Sequence, residues 1–144
     1  MTDRETRYVR VKADTLVAIQ KAMEPALGMR AAECLVAGAR VGEAKHVTAP
    51  AGDAPQHVET VLAAATGQGW GEFALERFGA NELVVTVRRS PFAEAYGRAA
   101  GPVCHLTRGL LEALAVAVFQ RTARVRETAC AAAGADGCRF ETLA

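Results

Sequence analysis

Apolar and polar positions along the chain change period several times, and those changes outline its elements. Tyr8 to Val11 (YVRV) alternates, the pattern of a short first strand. From Asp14, a plausible N-cap, Leu16, Ile19, Gln20 and Met23 recur at helical spacing until Pro25 and Gly28 interrupt them. The period resumes from Met29 to about Glu43, where Ala32, Leu35, Val36 and Ala39 mark one face. Two helices with a short Pro/Gly link read as a helical hairpin. His46 to Glu59 carries two prolines and reads as a loop, with helix from about Val58 to Ala65. Gly71 to Gly79 and Asn81 to Arg89 then alternate around a Gly-Ala-Asn turn, predicting an antiparallel hairpin. Ser90 to Pro102 reads as a loop or broken helix, and Leu106 to about Phe119 as a strong helix in which close packing requires Gly109. ARVRETAC and CRFETL are two strands joined by the turn AAAGADG. The fold class expected is α+β: an N-terminal helical hairpin plus an antiparallel sheet with a long inserted helix.

Composition narrows the function classes. The 144 residues fit a single domain, 1–144, and bury enough surface to fold without staples. With 51% hydrophobic and 23% charged residues the chain is not intrinsically disordered. A formal net charge of +1 argues against a dedicated nucleic-acid binder, and no apolar run is long enough to span a membrane. The charged start, MTDRETRYVRVKAD, lacks a signal-peptide apolar core, so a cytoplasmic location is expected. Ser90 is the only serine, which excludes a G-x-S-x-G nucleophile, and no H-E-x-x-H is present.

Four cysteines stand at 34, 104, 130 and 138. In a reducing compartment such a cluster points to metal ligation or catalysis rather than to disulfides. A final hairpin would bring Cys130 and Cys138 together. Glu127 and Cys130 have opposite parity on an ideal strand, so both reach one site only if the strand ends or bulges between them. Cys104 falls at the N-terminus of the long helix, where the dipole favours a thiolate. Three sulfurs and a carboxylate make a closed set for Zn²⁺. A buried-thiol core or a redox pair fits the same spacing.

The segment from Ser90 to Phe140 resembles the 4-vinyl reductase domain family, which also supplies the sensory domain of aromatic-compound-responsive bacterial activators. The resemblance rests on SPFAE, PVCHLTRG and RETACAAAGADGCRF, with ARVG at Ala39 to Gly42 a weaker match. It implies that Cys104, Glu127, Cys130 and Cys138 bind one structural zinc ion. It also implies an α+β fold related to haem-nitric-oxide-binding domains and small TRAPP tethering subunits, a homodimer, and a pocket for small hydrophobic or aromatic molecules. Phenol-sensing members carry a ligand-contacting tryptophan three residues before the serine that matches Ser90. Val87 stands there in this chain, so phenol recognition does not carry over. No ATPase or helix-turn-helix segment follows within these residues, so any output is expected to pass through a protein partner or self-association.

Trp70, Phe92, Tyr96 and His105 are the candidates for lining the pocket, each set against the alternative that it packs the core or covers a helix start. GQGWG follows a helix rather than a strand and does not read as a phosphate loop. Arg121, Arg124 and Arg126 suit either an anionic group or a solvated strand face, and Cys34 reads as a buried small hydrophobe. The leading reading is a zinc-stabilised sensor or carrier of a small hydrophobic molecule. The family's name suggests an alternative, an accessory of tetrapyrrole synthesis handling a vinyl porphyrin. No nicotinamide or flavin fingerprint is present, so the chain is not assigned an enzymatic activity. A dimeric tethering or scaffold subunit is the third reading.

Overall fold

The computed structural model of the protein describes residues 4–50 and 52–143. Helix α1 (Ala13–Leu27) and helix α2 (Arg30–Glu43) form the expected helical hairpin. Pro25 lies inside α1 in its last turn, where it removes one intrahelical donor; the helix ends two residues later and the chain turns at Gly28, whose φ of 59° suits glycine. Lys12, not Asp14, occupies the N-cap, without a side-chain bond, and Asp14 sits in the first turn. Helix α3 (Ala54–Gly67) starts four residues before the expected Val58, because Asp53 and a first-turn proline open it.

Strands β1 (Glu72–Phe78) and β2 (Leu83–Arg88) form the expected hairpin, and a short helix α4 (Pro91–Tyr96) follows. Helix α5 (His105–Phe119) leads to β3 (Val125–Ala129), a single 3-10 turn at Ala131–Ala133, and β4 (Cys138–Thr142). The four strands form one antiparallel sheet in the order β1-β2-β4-β3. The final hairpin therefore inserts β4 beside β2, with Cys138 opposite Val87.

Helix α5 is the centre of the core. Gly109 to Ala115 are all buried, as for a helix covered on every side. It packs against α2 and against the sheet through β3 and β4. A Cβ on Gly109 would lie 2.5 Å from the Val36 carbonyl oxygen and 2.6 Å from Ala39 Cβ, so glycine lets α2 and α5 touch backbone to backbone. Leu62, Leu83, Leu111, Leu114 and Phe140 fill the space between helices and sheet.

Two further expectations fail. Tyr8 to Val11 is irregular and exposed, because no strand of the sheet pairs with it, and the Tyr8 ring instead lies 6.3 Å from that of His46. Cys34 is exposed, not buried. The apolar stripe of α2 centres on Ala32, Leu35, Val36 and Ala39, and helical periodicity turns position 34 to the opposite side. No helix among the described residues is long and apolar enough to cross a membrane.

Candidate metal centre

Three separate stretches of chain meet beside the first turn of α5. Cys104 is the residue that opens the helix, directly after Pro102 and Val103. Cys138 is the first residue of β4, and Glu127 lies on β3 opposite Phe140. The pairing of β3 with β4 shifts register between Glu127 and Ala129, and β3 then ends. Those two irregularities bring Glu127 and Cys130 to the same side, as their parity requires. The turn between Cys130 and Cys138 is closed by Ala133 N–H and Ala135 N–H, both donating to the Cys130 carbonyl, with Gly134 at φ 105°.

The donor atoms of Cys104, Glu127, Cys130 and Cys138 all lie within 4.8 Å of one another, and all four residues are buried. Cys104 Sγ and Cys138 Sγ are 3.8 Å apart and the cysteines are free thiols. Two sulfurs bound to one tetrahedral zinc at about 2.3 Å would stand about 3.8 Å apart, so the thiols are spaced as such a site needs. Glu127 Oε1 accepts the Cys104 N–H at 3.0 Å, whereas Oε2 is buried with no hydrogen-bond partner. An orphaned carboxylate oxygen facing three sulfurs is costly unless something else binds it. The Ala131 N–H points at Cys138 Sγ from 3.4 Å, and Ser90 Oγ lies 3.2 Å from Cys104 Sγ.

The electrostatics of the metal-free cluster agree with this arrangement. Hydrogen bonds from Cys104 and Cys138 hold the Cys130 thiol below its ordinary value, while Cys130 and Cys138 push Cys104 upward. At Cys138 the bond with Cys104 lowers the value, but Cys130 and burial outweigh it and leave the thiol at about 12. Burial, with the charge on Cys130, lifts Glu127 to about 8. Burial and mutual contact thus make it costly to ionise the four groups together, and a cation with two positive charges would offset that cost. The set Cys₃Glu is closed and sulfur-rich, which could hold a metal of the zinc type and disfavours hard cations such as Mg²⁺ or Ca²⁺.

The four candidates for the pocket do not line the hollow between α5 and the segment after α2. Trp70 and Phe92 meet edge to face at 5.7 Å. Tyr96 turns to α1, its hydroxyl donating to Glu24 Oε1 at 2.9 Å with Lys21 Nζ 4.4 Å above its ring. His105 is half-buried at the start of α5, and burial, followed by Arg108, keeps its imidazole below the usual value. That hollow, of about 500 Å³, is walled instead by Val47, Ala113, Val116 and Ala117 and rimmed by Gln120 and Arg121.

Sequence reasoning also missed the ion network around Glu112. This fully buried carboxylate accepts from Arg40 at 2.8 Å, Arg124 at 3.1 Å and the Val125 N–H at 3.0 Å. Arg124 and Arg108 also bond Glu33, so α2, α5 and β3 are tied together. Arg121 bonds Asn81, which leaves Arg126 as the solvated member of the arginine trio.

Residues 83–143 match the family model of the V4R domain. Among solved structures, the chain is similar to the phenol-responsive sensory domain of the transcription activator PoxR in complex with phenol. The TM-score is 0.84 at 19% identity, covering 96% of this chain and 77% of that one. It is also similar to a vinyl-4-reductase family protein from Methanocaldococcus jannaschii, with a TM-score of 0.60 at 13% identity, covering 96% of this chain and 98% of that one. No curated protein sequence matches the chain. The stretch that matches the V4R domain model holds all four members of the cluster, and the chain shares its fold with the PoxR sensory domain.

Proposed function

We propose that this protein is a zinc-stabilised ligand-binding domain that senses or carries a small hydrophobic molecule. The observation that carries the reading is the buried Cys104–Glu127–Cys130–Cys138 cluster, with donors within 4.8 Å and one carboxylate oxygen left without a partner. A bound zinc ion would supply four bonds that cross-link the start of α5, the end of β3 and the start of β4. All four positions are taken by protein, so its role is structural rather than catalytic. The fold shared with a phenol-responsive sensory domain supports the sensing half of the reading.

The ligand site we propose is the hollow between α5 and the segment that follows α2. It is an open hollow of about 500 Å³ whose wall is mainly apolar, with an amide and a guanidinium at the rim. A small apolar molecule with one polar or acidic group suits that lining. Trp70 and Phe92 would then act as packing rather than as ligand contacts.

A thermal-shift screen of zinc-loaded protein against small aromatic and aliphatic alcohols and acids tests this. Stabilisation by a member of the panel, lost in Ala117→Trp and kept in Trp70→Leu, is the expected result. Stabilisation lost in Trp70→Leu and kept in Ala117→Trp would move the site to the aromatic side. No stabilisation by any compound would contradict the sensing reading.

A further inference from the structure

The one serine of the chain lies between the metal centre and α4. Ser90 is 3% exposed and is the N-cap of α4, its Oγ accepting the Ala93 N–H at 3.3 Å. The same Oγ stands 3.2 Å from Cys104 Sγ. A hydroxyl has one proton and two lone pairs, and the Ala93 N–H occupies a lone pair, so the proton is free to be donated. A cysteine that ligates a metal is a thiolate and has no proton to give. With a metal bound, Ser90 is therefore the donor and Cys104 Sγ the acceptor. The preceding residue supports a built position: Arg89 has φ 55°, a left-handed conformation that a residue with a side chain holds only when its surroundings enforce it. That turn ends β2 and aims Ser90 inward.

We infer that Ser90 is a positioning residue of the metal centre, which orients the Cys104 thiolate and couples metal occupancy to the capping of α4. This rests on the zinc reading above. A hydrogen bond to a ligating sulfur fixes the direction of its remaining lone pairs and lowers their energy, and loss of such an outer-shell partner typically weakens metal binding about 10–100-fold. The coupling is reciprocal: a thiolate held by metal fixes the hydroxyl that caps α4. Helix α4 carries Phe92, packed on Trp70, and Tyr96, bonded to Glu24 of α1. Metal occupancy is thereby felt in a helix that supplies no ligand.

The test uses Co²⁺ as the probe in the full chain, because thiolate-to-cobalt charge-transfer bands report on the sulfurs directly. Ser90→Gly removes the hydroxyl at little cost to the N-cap, and Ser90→Thr restores it. The inference expects Ser90→Gly to bind Co²⁺ about 10–100-fold more weakly in chelator competition, with the charge-transfer band moved to longer wavelength and both properties recovered in Ser90→Thr. Exchange of the Ala93 amide should slow on metal loading in the wild type and not in Ser90→Gly. Unchanged affinity and band position in Ser90→Gly would overturn the inference while leaving the zinc reading intact. Weaker binding with an unmoved band would also overturn it, by reducing Ser90 to a helix cap. A wild-type chain that takes up neither Co²⁺ nor Zn²⁺ would overturn both.

Discussion

Glu127 Oε1 accepts the backbone N–H of Cys104 at 3.0 Å, so one member of the cluster holds the peptide group of another. The bond joins β3 to the N-terminus of α5, whose unpaired N–H groups and dipole favour a carboxylate. It also decides how the carboxylate is divided: Oε1 belongs to the protein, and Oε2, buried and unpartnered, is the oxygen offered to a metal.

Glu127→Gln separates those two duties. The amide oxygen can still accept the Cys104 N–H, while the amide nitrogen cannot ligate. The variant should fold, and its zinc affinity should fall by more than the ~10–100-fold that loss of an outer-shell partner costs. Chelator competition measures this. Wild-type affinity in Glu127→Gln would remove the carboxylate from the ligand set.

Gly109→Ala should destabilise the protein by about 1–3 kcal/mol, the usual cost of forcing atoms into a packed contact. The new methyl would meet the Val36 carbonyl and Ala39, which belong to a helix and cannot swing aside. Gly38→Ala in α2 is the control, since a Cβ there meets nothing within 4 Å. It should stabilise by about 0.4–1 kcal/mol through reduced freedom of the unfolded chain. Urea midpoints of the two variants should therefore move in opposite directions.

Glu112→Ala removes a fully buried carboxylate from Arg40, Arg124 and the Val125 N–H. Both guanidiniums remain partly in water, at 37% and 49% exposure, so the cost should be about 2–3 kcal/mol, below that of breaking a wholly buried pair. Replacing Glu76, whose contact with Arg139 is exposed and screened by solvent, by Ala should cost far less. A comparable loss at both sites would contradict the weight given to burial.

Tyr96 gives the pH dependence. Burial, and then its hydrogen bond to Glu24 and that residue's charge, raise the phenol above its ordinary value. The folded state therefore disfavours the phenolate. The resulting stabilisation is intact below the unfolded-state value of about 10 and is lost as pH rises through the higher folded one. Thermal midpoints across that alkaline range should fall more steeply in the wild type than in Tyr96→Phe. Parallel slopes would contradict it.

How much of this was legible in the sequence differs from element to element. The cluster of three cysteines and Glu127 was legible because its residue types are rare and its spacing allowed a physical condition, a bulge or strand end after Glu127, which the register shift before Ala129 meets. The β1–β2 hairpin and α5 were legible because alternation and helical period are local signals. Tyr8 to Val11 alternates as well, but pairing needs a partner edge that no local pattern reveals. Cys34 lay next to apolar residues in sequence and opposite them on the helix. Glu112 could not be found on an alanine-rich helix, since its setting depends on Arg40 of α2 and on Arg124, just before β3. Ser90 was visible as a family motif, yet its contact with Cys104 depends on the left-handed turn at Arg89.

Native mass spectrometry of the untagged protein, under conditions that retain metals, tests the central claim most directly. The account predicts a mass of chain plus one zinc ion, reduced to the bare chain in Cys130→Ala and in Cys138→Ala. A metal-free wild type with all four thiols reactive and the fold intact would contradict it, as would one zinc retained in either variant.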